Sequence, residues 1–160
     1  MTTVENYSFM NIRKDALVEE EISELPQAIS KITLPDNRSI DSCYECAIEG
    51  EKLSRAKDFP GCIKYFTAAL YYGTDDYKLL SAIYSQLGNA FFSIQDYAHA
   101  LDYHNWDLNV SRMNNDLVSE AKASGNLGNT LKKLGKYDEA ILCNKRQFDI
   151  VRQLNDKVVL

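Results

Sequence analysis

Two asparagine residues occur in the same short string, Leu-Gly-Asn, at 87–89 and again at 127–129. An asparagine amide carries two hydrogen-bond donors and an acceptor, so one side chain can bond both the N–H and the C=O of a peptide. A series of such amides on one surface would bind the backbone of an extended peptide whatever its side chains. The alternative is that Asn89 and Asn129 cap or bridge neighbouring helices.

Other residue types that could carry chemistry do not form a recognised site. Cys43 and Cys46 form a single C-x-x-C pair, without two further ligands at the spacing of a zinc site. His99 and His104 are five residues apart, which does not place both on one helical face. The sequence also lacks a glycine-rich phosphate loop and a suitable carboxylate pair. We therefore expect no catalytic residues, no metal and no cofactor, and a protein that is not an enzyme.

Composition narrows the class of protein further. The 160 residues carry a net charge of −5, which gives no support to nucleic-acid binding. No run approaches the roughly 18 apolar residues of a membrane span. The N-terminal segment has no apolar core of a secretory signal. The sequence therefore predicts a cytoplasmic globular protein that does not insert into a membrane.

The Leu-Gly-Asn string is part of a longer repeat. After a shift of forty residues, Tyr97 coincides with Tyr137 and Ala100 with Ala140. After a shift of thirty-eight, a weaker earlier copy places Gly50 at the glycine of the string. Internal repeats of this length indicate a solenoid. Repeats are predicted at 41–75, 76–115 and 116–155, with an acidic leader at 1–40 and a truncated start of a fourth repeat at 156–160.

Each copy has the pattern of two helices. In the second copy, apolar residues recur at spacings of three and four, at Leu80, Ile83, Tyr84, Leu87 and Phe91. Asp96 then stands where the N-cap of the next helix is expected. Gly135 breaks the chain between the helices of the third copy. The repeated glycine and Ala100 are expected to let two antiparallel helices approach closely, with Tyr97 or Tyr137 filling the gap beside them.

Paired helices with Leu-Gly, then Tyr, then Ala at these distances resemble tetratricopeptide repeats. The resemblance implies an all-α fold, a helical solenoid of about three helix pairs, with a poorly ordered leader. It also implies that the first helix of each pair faces the concave side. One helical face of these first helices then contains Tyr44, Ala47, Ile48, Glu51, Ser54 and Arg55 in the first copy, Ala82, Ser85, Gln86, Asn89, Phe92 and Ser93 in the second, and Lys122, Gly125, Asn126, Asn129, Lys132 and Lys133 in the third.

This face predicts a peptide-binding groove. The first two copies carry a net charge of −2 each and the third carries +2. Because Lys122, Lys132 and Lys133 all fall on the predicted face, an acidic ligand is favoured; the alternative is a solvated face. The predicted groove residues are Gln86, Asn89, Phe92, Ser93, Lys122, Asn126, Asn129, Lys132 and Lys133.

Longer sequence strings indicate a resemblance to one particular family of tetratricopeptide-repeat proteins. "CYECAIEGEKLSRAKDF", "GTDDYKLLSAIYSQLGNAFF" and "EAKASGNLGNTLKKLGKYDEAI" are similar to the N-terminal repeats of the LGN/Pins family of G-protein-signalling modulators, over about residues 43–158. The resemblance implies a non-enzymatic scaffold that links cortical Gα subunits to spindle and polarity proteins in spindle orientation. It implies acidic Inscuteable-like and NuMA-like segments as ligands, and association with the cell cortex or spindle pole.

Two further expectations concern Gα binding and the C-terminal end of the repeat array. The sequence contains no segment like the GoLoco motifs by which that family binds Gα subunits, so Gα binding by this polypeptide is not expected. The third repeat leaves apolar residues of its second helix for a fourth repeat to cover, at Ile141, Leu142, Phe148 and Val151. Self-association through this uncapped repeat is therefore predicted.

The alternative function is a co-chaperone-type tetratricopeptide module that binds acidic C-terminal peptides. Such modules resemble a clamp of lysine, asparagine and arginine residues on the inner helices. Here the corresponding positions hold Ala47, Glu51, Gln86, Lys122 and Asn126. Only Lys122 fits, and Glu51 would repel a carboxylate, so the scaffold hypothesis is preferred.

Overall fold

The computed structural model describes residues 42–158, and the predicted leader at 1–40 lies outside them. Within this range the chain forms six helices and no strand. The helices are α1 (Cys43–Arg55), α2 (Phe59–Tyr72), α3 (Tyr77–Ser93), α4 (Tyr97–Met113), α5 (Leu117–Lys133) and α6 (Tyr137–Val158). They pack as three consecutive pairs, which confirms the all-α fold with about three helix pairs. The repeat boundaries stay predictions, and α6 runs without interruption through 156–158.

Side chains cap the first turns of α1 to α5, where backbone N–H groups have no partner within the helix. The Ser42 hydroxyl accepts a hydrogen bond from the N–H of Glu45 at 3.1 Å. The Asp96 carboxylate accepts one from the N–H of His99 at 3.2 Å, which confirms the predicted cap of α4. The remaining caps are Asp58 for α2, Asp76 for α3 and Asp116 for α5.

Four of the helices end in one type of turn. Lys57, Gln95, Asn115 and Gly135 follow α1, α3, α4 and α5 and have positive φ angles of 60°, 66°, 53° and 75°. After each, the next N–H bonds to the carbonyl five positions back, at 2.9 or 3.0 Å. These are the bonds of the Schellman motif, which satisfies the free carbonyls of a helix end. Gly135 adopts this conformation without steric opposition, whereas Lys57 and Gln95 carry a Cβ that opposes it.

The apolar core is divided unequally along the array. A large cluster extends from α1 to α4, and a smaller one joins α4, α5 and α6. The predicted apolar positions Leu80, Ile83, Tyr84 and Leu87 of α3 are at most 1% exposed. The smaller cluster contains Leu108, Ala123, Leu127, Leu131 and Ala140. The first two pairs therefore hold most of the apolar interior.

Gly88 marks a close approach of α3 and α4. A methyl group at this position would overlap the ring of His104, which is fully buried. The residue sixteen positions after the glycine takes the same place in the other pairs, as Phe66 for Gly50 and Asn144 for Gly128. The predicted close approach is confirmed. The prediction that Tyr137 fills the gap is wrong, because Tyr137 is 63% exposed. Tyr97 is half-buried and contacts the ring of Phe92 on α3.

Candidate functional site

The first helices of the three pairs, α1, α3 and α5, line one face of the array. Helix α3 touches both α1 and α5, whereas the second helices approach one another less. An array whose first helices lie closer together than its second helices curves towards the first helices. We call the surface lined by α1, α3 and α5 the inner face.

Two clefts lie on the inner face. The α1–α3 cleft has a volume of about 250 Å³ and the α3–α5 cleft one of about 390 Å³. Both are lined by Ala82, so they adjoin at α3. The α1–α3 cleft is lined by Tyr44, Ala47, Ile48, Glu51, Phe66, Leu79, Ala82, Ile83 and Gln86. The α3–α5 cleft is lined by Lys78, Ser81, Ala82, Ser85, Asp107, Asp116, Val118, Ser119 and Lys122.

The predicted groove residues of α3 differ in their surroundings. Gln86 is half-buried and lines the α1–α3 cleft. Asn89 is exposed one turn further along. Phe92 packs edge-on against Tyr97, with ring centroids 5.2 Å apart, and the Ser93 hydroxyl donates to the carbonyl of Asn89 at 2.9 Å. Only Gln86 of this group therefore lines either cleft.

The predicted groove residues of α5 follow the same order. Lys122 is exposed and lines the α3–α5 cleft, and Asn126 is half-buried one turn later. The side-chain nitrogen of Asn126 is buried without a hydrogen-bond partner among residues 42–158. Asn129, Lys132 and Lys133 are exposed towards the end of the helix. The lysines there also interact favourably with the helix dipole.

The sequence did not predict the floor of the α3–α5 cleft. Asp107 lies there, on the second helix α4, and is only 2% exposed. The hydroxyl of Ser81 donates a short hydrogen bond to its carboxylate. Burial raises the pKa of Asp107 to about 6, against the smaller opposite effects of Ser81 and Lys122. Asp107 comes four residues after Tyr103 and three before Val110, and both of these are buried. This spacing was the sequence signal that could have identified Asp107 as a buried residue.

Two titratable groups of the interior, His104 and Cys46, are in their neutral forms at pH 7. Burial lowers the pKa of His104 to about 4. Burial, together with the charges of Cys43 and Glu45, raises the pKa of the Cys46 thiol to about 12. Since the thiolate is the reactive form, Cys46 is a small apolar residue of the core at neutral pH.

Two absences among the described residues bear on the type of site. Between residues 42 and 158, no three His, Cys, Asp or Glu side chains are grouped so that they could hold a metal ion. None of the six helices has a stretch long and apolar enough to cross a bilayer. The geometry of the inner face is that of a shallow surface with polar groups at intervals, suited to an extended ligand.

Comparison with known proteins gives relatives but no family model that matches the chain. G-protein-signaling modulator 1 of Homo sapiens is 55% identical over 105 residues, which is 66% of this chain and 16% of the relative. The Mus musculus protein of the same name is 56% identical over 86 residues, 54% of this chain and 13% of the relative. Tetratricopeptide repeat protein 28 of Homo sapiens is 36% identical over 82 residues, 51% of this chain and 3% of the relative. The matched segments confirm the repeat fold and span less than a fifth of these relatives.

Proposed function

We propose that this chain, which is homologous to the G-protein-signalling modulators of the LGN/Pins family, is a non-enzymatic adaptor that binds extended peptide segments on its inner face. At the coarser level, the homology supports a tetratricopeptide-type adaptor in G-protein signalling. The finer role is in spindle orientation and cell polarity, at the cell cortex or spindle pole. The similarity of the long sequence strings supports that part of the proposal.

One unpaired side-chain atom of α5 carries the proposal. The side-chain nitrogen of Asn126 has no hydrogen-bond partner among the described residues. Leaving a buried donor unpaired costs about 1–3 kcal/mol, which a carbonyl group of a bound peptide would offset once the half-buried Asn126 amide rotates towards it. Gln86, forty residues earlier, stands at the same position of α3 and is also half-buried. Two amides at equivalent positions of neighbouring helices can bind the backbone of one extended chain.

Asn89 and Asn129 extend this pair of amides. Both are exposed on the inner face, one turn of helix beyond Gln86 and Asn126 respectively. Their exposure favours contact with a ligand over the alternative, in which each bridges two helices. The four amides would then read the peptide backbone rather than its side chains.

The charges of the inner face favour an acidic segment at one end of the ligand. Lys122, Lys132 and Lys133 are all exposed on α5, whereas Glu51 lines the α1–α3 cleft. A ligand with its acidic residues over Lys132 and Lys133, at the end of α5 away from Asp107, would meet opposite charge there and would avoid Glu51. Inscuteable-like and NuMA-like acidic segments are the ligands that the resemblance suggests.

The co-chaperone alternative receives less support. A two-carboxylate clamp needs cations on neighbouring helices. The clefts place Glu51 on α1 and the buried Asp107 beside Lys122 instead. Glu51 would repel a C-terminal carboxylate at α1, and Asp107 offsets the charge of Lys122, so we do not propose this function.

Peptide titration tests the proposed function. An acidic Inscuteable-like peptide with a fluorescent label is added to the chain and the change in anisotropy gives the Kd. Asn126→Ala should weaken binding about tenfold, the equivalent of about 1.4 kcal/mol. Lys132→Glu combined with Lys133→Glu should weaken it more at low salt than at high salt.

The matched control uses exposed cations of the second helix α6. Lys145→Glu combined with Arg152→Glu changes the net charge equally but leaves the inner face intact. This control should bind almost as tightly as the parent chain. Equal losses of peptide affinity in the two double variants would contradict binding at the inner face. A loss of stability in Asn126→Ala as large as its loss of affinity would also contradict it.

Self-association through α6 is the second part of the proposal. Ile141 and Phe148 are 63% and 67% exposed. Leu101 and Leu108 occupy the same positions of α4, where both pack in the cluster that α4 shares with α5. We therefore propose that α6 of a second copy covers this surface. Sedimentation over a concentration series should show a dimer that Phe148→Glu dissociates; a monomer at all concentrations would contradict it.

A further inference from the structure

The α3–α5 cleft has walls from two first helices and a floor from the helix between them. Ser81 and Ser85 come from α3, Lys122 comes from α5, and Asp107 rises from α4. Its volume of about 390 Å³ is large enough for one long side chain of a bound peptide. The cleft thus interrupts the shallow inner face with a deeper polar position.

The carboxylates of the cleft are held by hydrogen bonds, whereas its lysine side chains can move. Asp107 is buried and bonded to the Ser81 hydroxyl. Asp116, the N-cap of α5, accepts from the N–H of Ser119 at 3.0 Å and from its hydroxyl at 2.9 Å. Lys78 and Lys122 at the rim are exposed and make no ion pair within 4.0 Å among the described residues. Because a lysine ammonium lies on a flexible stem, both can move away from an incoming cation.

Ser85 supplies an independent observation. It is 4% exposed, it lines the cleft, and its hydroxyl has no hydrogen-bond partner among residues 42–158. Buried hydroxyls are normally paired, so an unpaired one on a residue that lines a cleft points to a ligand with a complementary group. A hydroxyl can accept a hydrogen bond as well as donate one.

We propose that the α3–α5 cleft binds an arginine side chain of the peptide ligand, with its guanidinium paired to Asp107 and hydrogen-bonded to the Ser85 hydroxyl. A guanidinium has five N–H donors in a planar fork, which suits a carboxylate and a neighbouring hydroxyl better than the single ammonium of lysine does. A buried carboxylate with a raised pKa would gain from a cation beside it, because the pair offsets the loss of hydration. This assignment rests on the proposed function and adds one basic residue to an otherwise acidic ligand.

The test uses two small probes on the full chain. N-acetyl-arginine amide carries the guanidinium, and N-acetyl-citrulline amide has the same shape without the charge. In ¹⁵N-resolved NMR spectra, the arginine probe should give saturable shifts at Ser81, Ser85 and Lys122, and should lower the pKa of Asp107 in a carboxyl titration. The citrulline probe should give shifts at least tenfold weaker at equal concentration. Equal shifts with both probes, or no saturable shift with arginine, would overturn the assignment.

Variants separate this assignment from the proposed function. Asp107→Asn should abolish the response to the arginine probe, and Ser85→Ala should weaken it severalfold. If Asp107→Asn does not fold, Ser85→Ala and the two probes on the parent chain still decide the outcome. A negative result at this cleft, with peptide binding still sensitive to Asn126→Ala, would remove the arginine position and leave the peptide-binding proposal intact. Loss of both would count against the inner face as a whole.

Discussion

Repeat 2, formed by α3 and α4, and repeat 3, formed by α5 and α6, have similar helices and different interiors. Positions forty residues apart hold the pairs Leu80 and Glu120, Tyr84 and Ser124, Tyr103 and Cys143, and Trp106 and Arg146. In repeat 2 the ring of Tyr84 lies 6.3 Å from that of Tyr103 and 6.5 Å from that of Trp106, centroid to centroid. In repeat 3, Glu120 accepts hydrogen bonds from Arg146 at 2.9 Å and Arg112 at 3.0 Å.

The difference shows that one helical frame can be stabilised by two kinds of interior. The aromatic contacts of repeat 2 gain free energy from buried apolar area, and this part does not depend on pH. The pH response of repeat 2 comes instead from its buried His104 and Asp107. The ionic interior of repeat 3 depends on an ionised Glu120, whose side chain is 6% exposed, and on both arginines. The arginines are about half exposed, so solvent screens part of the attraction. The two repeats should therefore respond differently to substitution and to pH.

The largest expected effect comes from replacing Tyr84 of repeat 2 with serine, the residue that repeat 3 has at the same position. Tyr84→Ser should lower the free energy of unfolding by about 3–5 kcal/mol, because it removes a fully buried aromatic side chain and leaves a cavity. Urea unfolding followed by circular dichroism measures the change. Cys143→Ser, at a half-buried position of repeat 3, is the control and should cost much less. Similar losses at the two positions would contradict the contrast between the interiors.

A smaller effect is expected from His104 in acid. Because burial lowers its folded-state pKa to about 4, the unfolded chain takes up the proton first as the pH falls below the usual 6.5. His104 therefore reduces the free energy of unfolding by up to about 3 kcal/mol between pH 7 and pH 4. His104→Asn, the residue at the same position of repeat 3, should remove this loss.

Asp107 should change the stability with pH in the opposite direction to His104, and it therefore serves as the control. Its pKa is raised to about 6, so its contribution to stability is present at low pH and is lost as the pH rises through 6. Measuring the free energy of unfolding of His104→Asn, of Asp107→Asn and of the parent chain at each pH separates the contributions of the two groups. A His104→Asn variant whose pH dependence equals that of the parent would show that the buried imidazole does not govern it.

Glu120 should change the free energy of unfolding less than His104 or Asp107 does. Burial would raise its pKa, but hydrogen bonds from Arg146 and Arg112 outweigh burial and lower it. The stabilisation is therefore present above the usual pKa of glutamate and is lost as the pH falls through the lower folded-state value. Glu120→Gln should cost about 1–2 kcal/mol at neutral pH, and its difference from the parent should vanish in acid.

A double variant sharpens the comparison of the interiors. Glu120→Leu with Arg146→Trp places the residues of repeat 2 in repeat 3, and should be neutral or stabilising because apolar pairs often replace buried ion pairs without loss. A loss larger than that of Glu120→Gln would show that the frame of repeat 3 does not accept an apolar interior.

The smallest effect concerns the turns between the paired helices. Gln95 and Gly135 occupy the same positive-φ position after α3 and α5. Gln95→Gly should stabilise the chain by about 0.5–1 kcal/mol, and Gly135→Ala should destabilise it by about 1 kcal/mol. Thermal unfolding of both variants measures the two shifts, which should have opposite signs. Shifts of the same sign would contradict the turn geometry.

The helices could be predicted from the sequence because their signals are local. Apolar spacing identified the buried residues of α3, and Asp96 and Gly135 marked a helix start and a helix end. The partner of Gly88 could not be predicted in this way. It depends on how far α4 is shifted along α3, and this shift brings His104 rather than a tyrosine to the glycine.

The candidate site was only partly predictable for a related reason. A helical-face argument applied to the first helices finds Gln86 and Lys122, which line the clefts. It cannot find Asp107, because that residue belongs to the second helix and reaches the inner face between its neighbours. It also misses Asp116, which acts as a helix cap and as part of the cleft wall at once.

NMR mapping of a bound peptide tests the central claim, that one extended ligand lies on the inner face across repeats 2 and 3. An acidic Inscuteable-like peptide with a paramagnetic label at one end is added to ¹⁵N-labelled chain. We predict line broadening and shifts at Gln86, Asn89, Asn126 and Asn129, with the outer residues of α4 and α6 unaffected. Reversing the label to the other end of the peptide should move the broadening from one first helix to the next. Broadening confined to the exposed apolar residues of α6, with the four amides unchanged, would contradict the account.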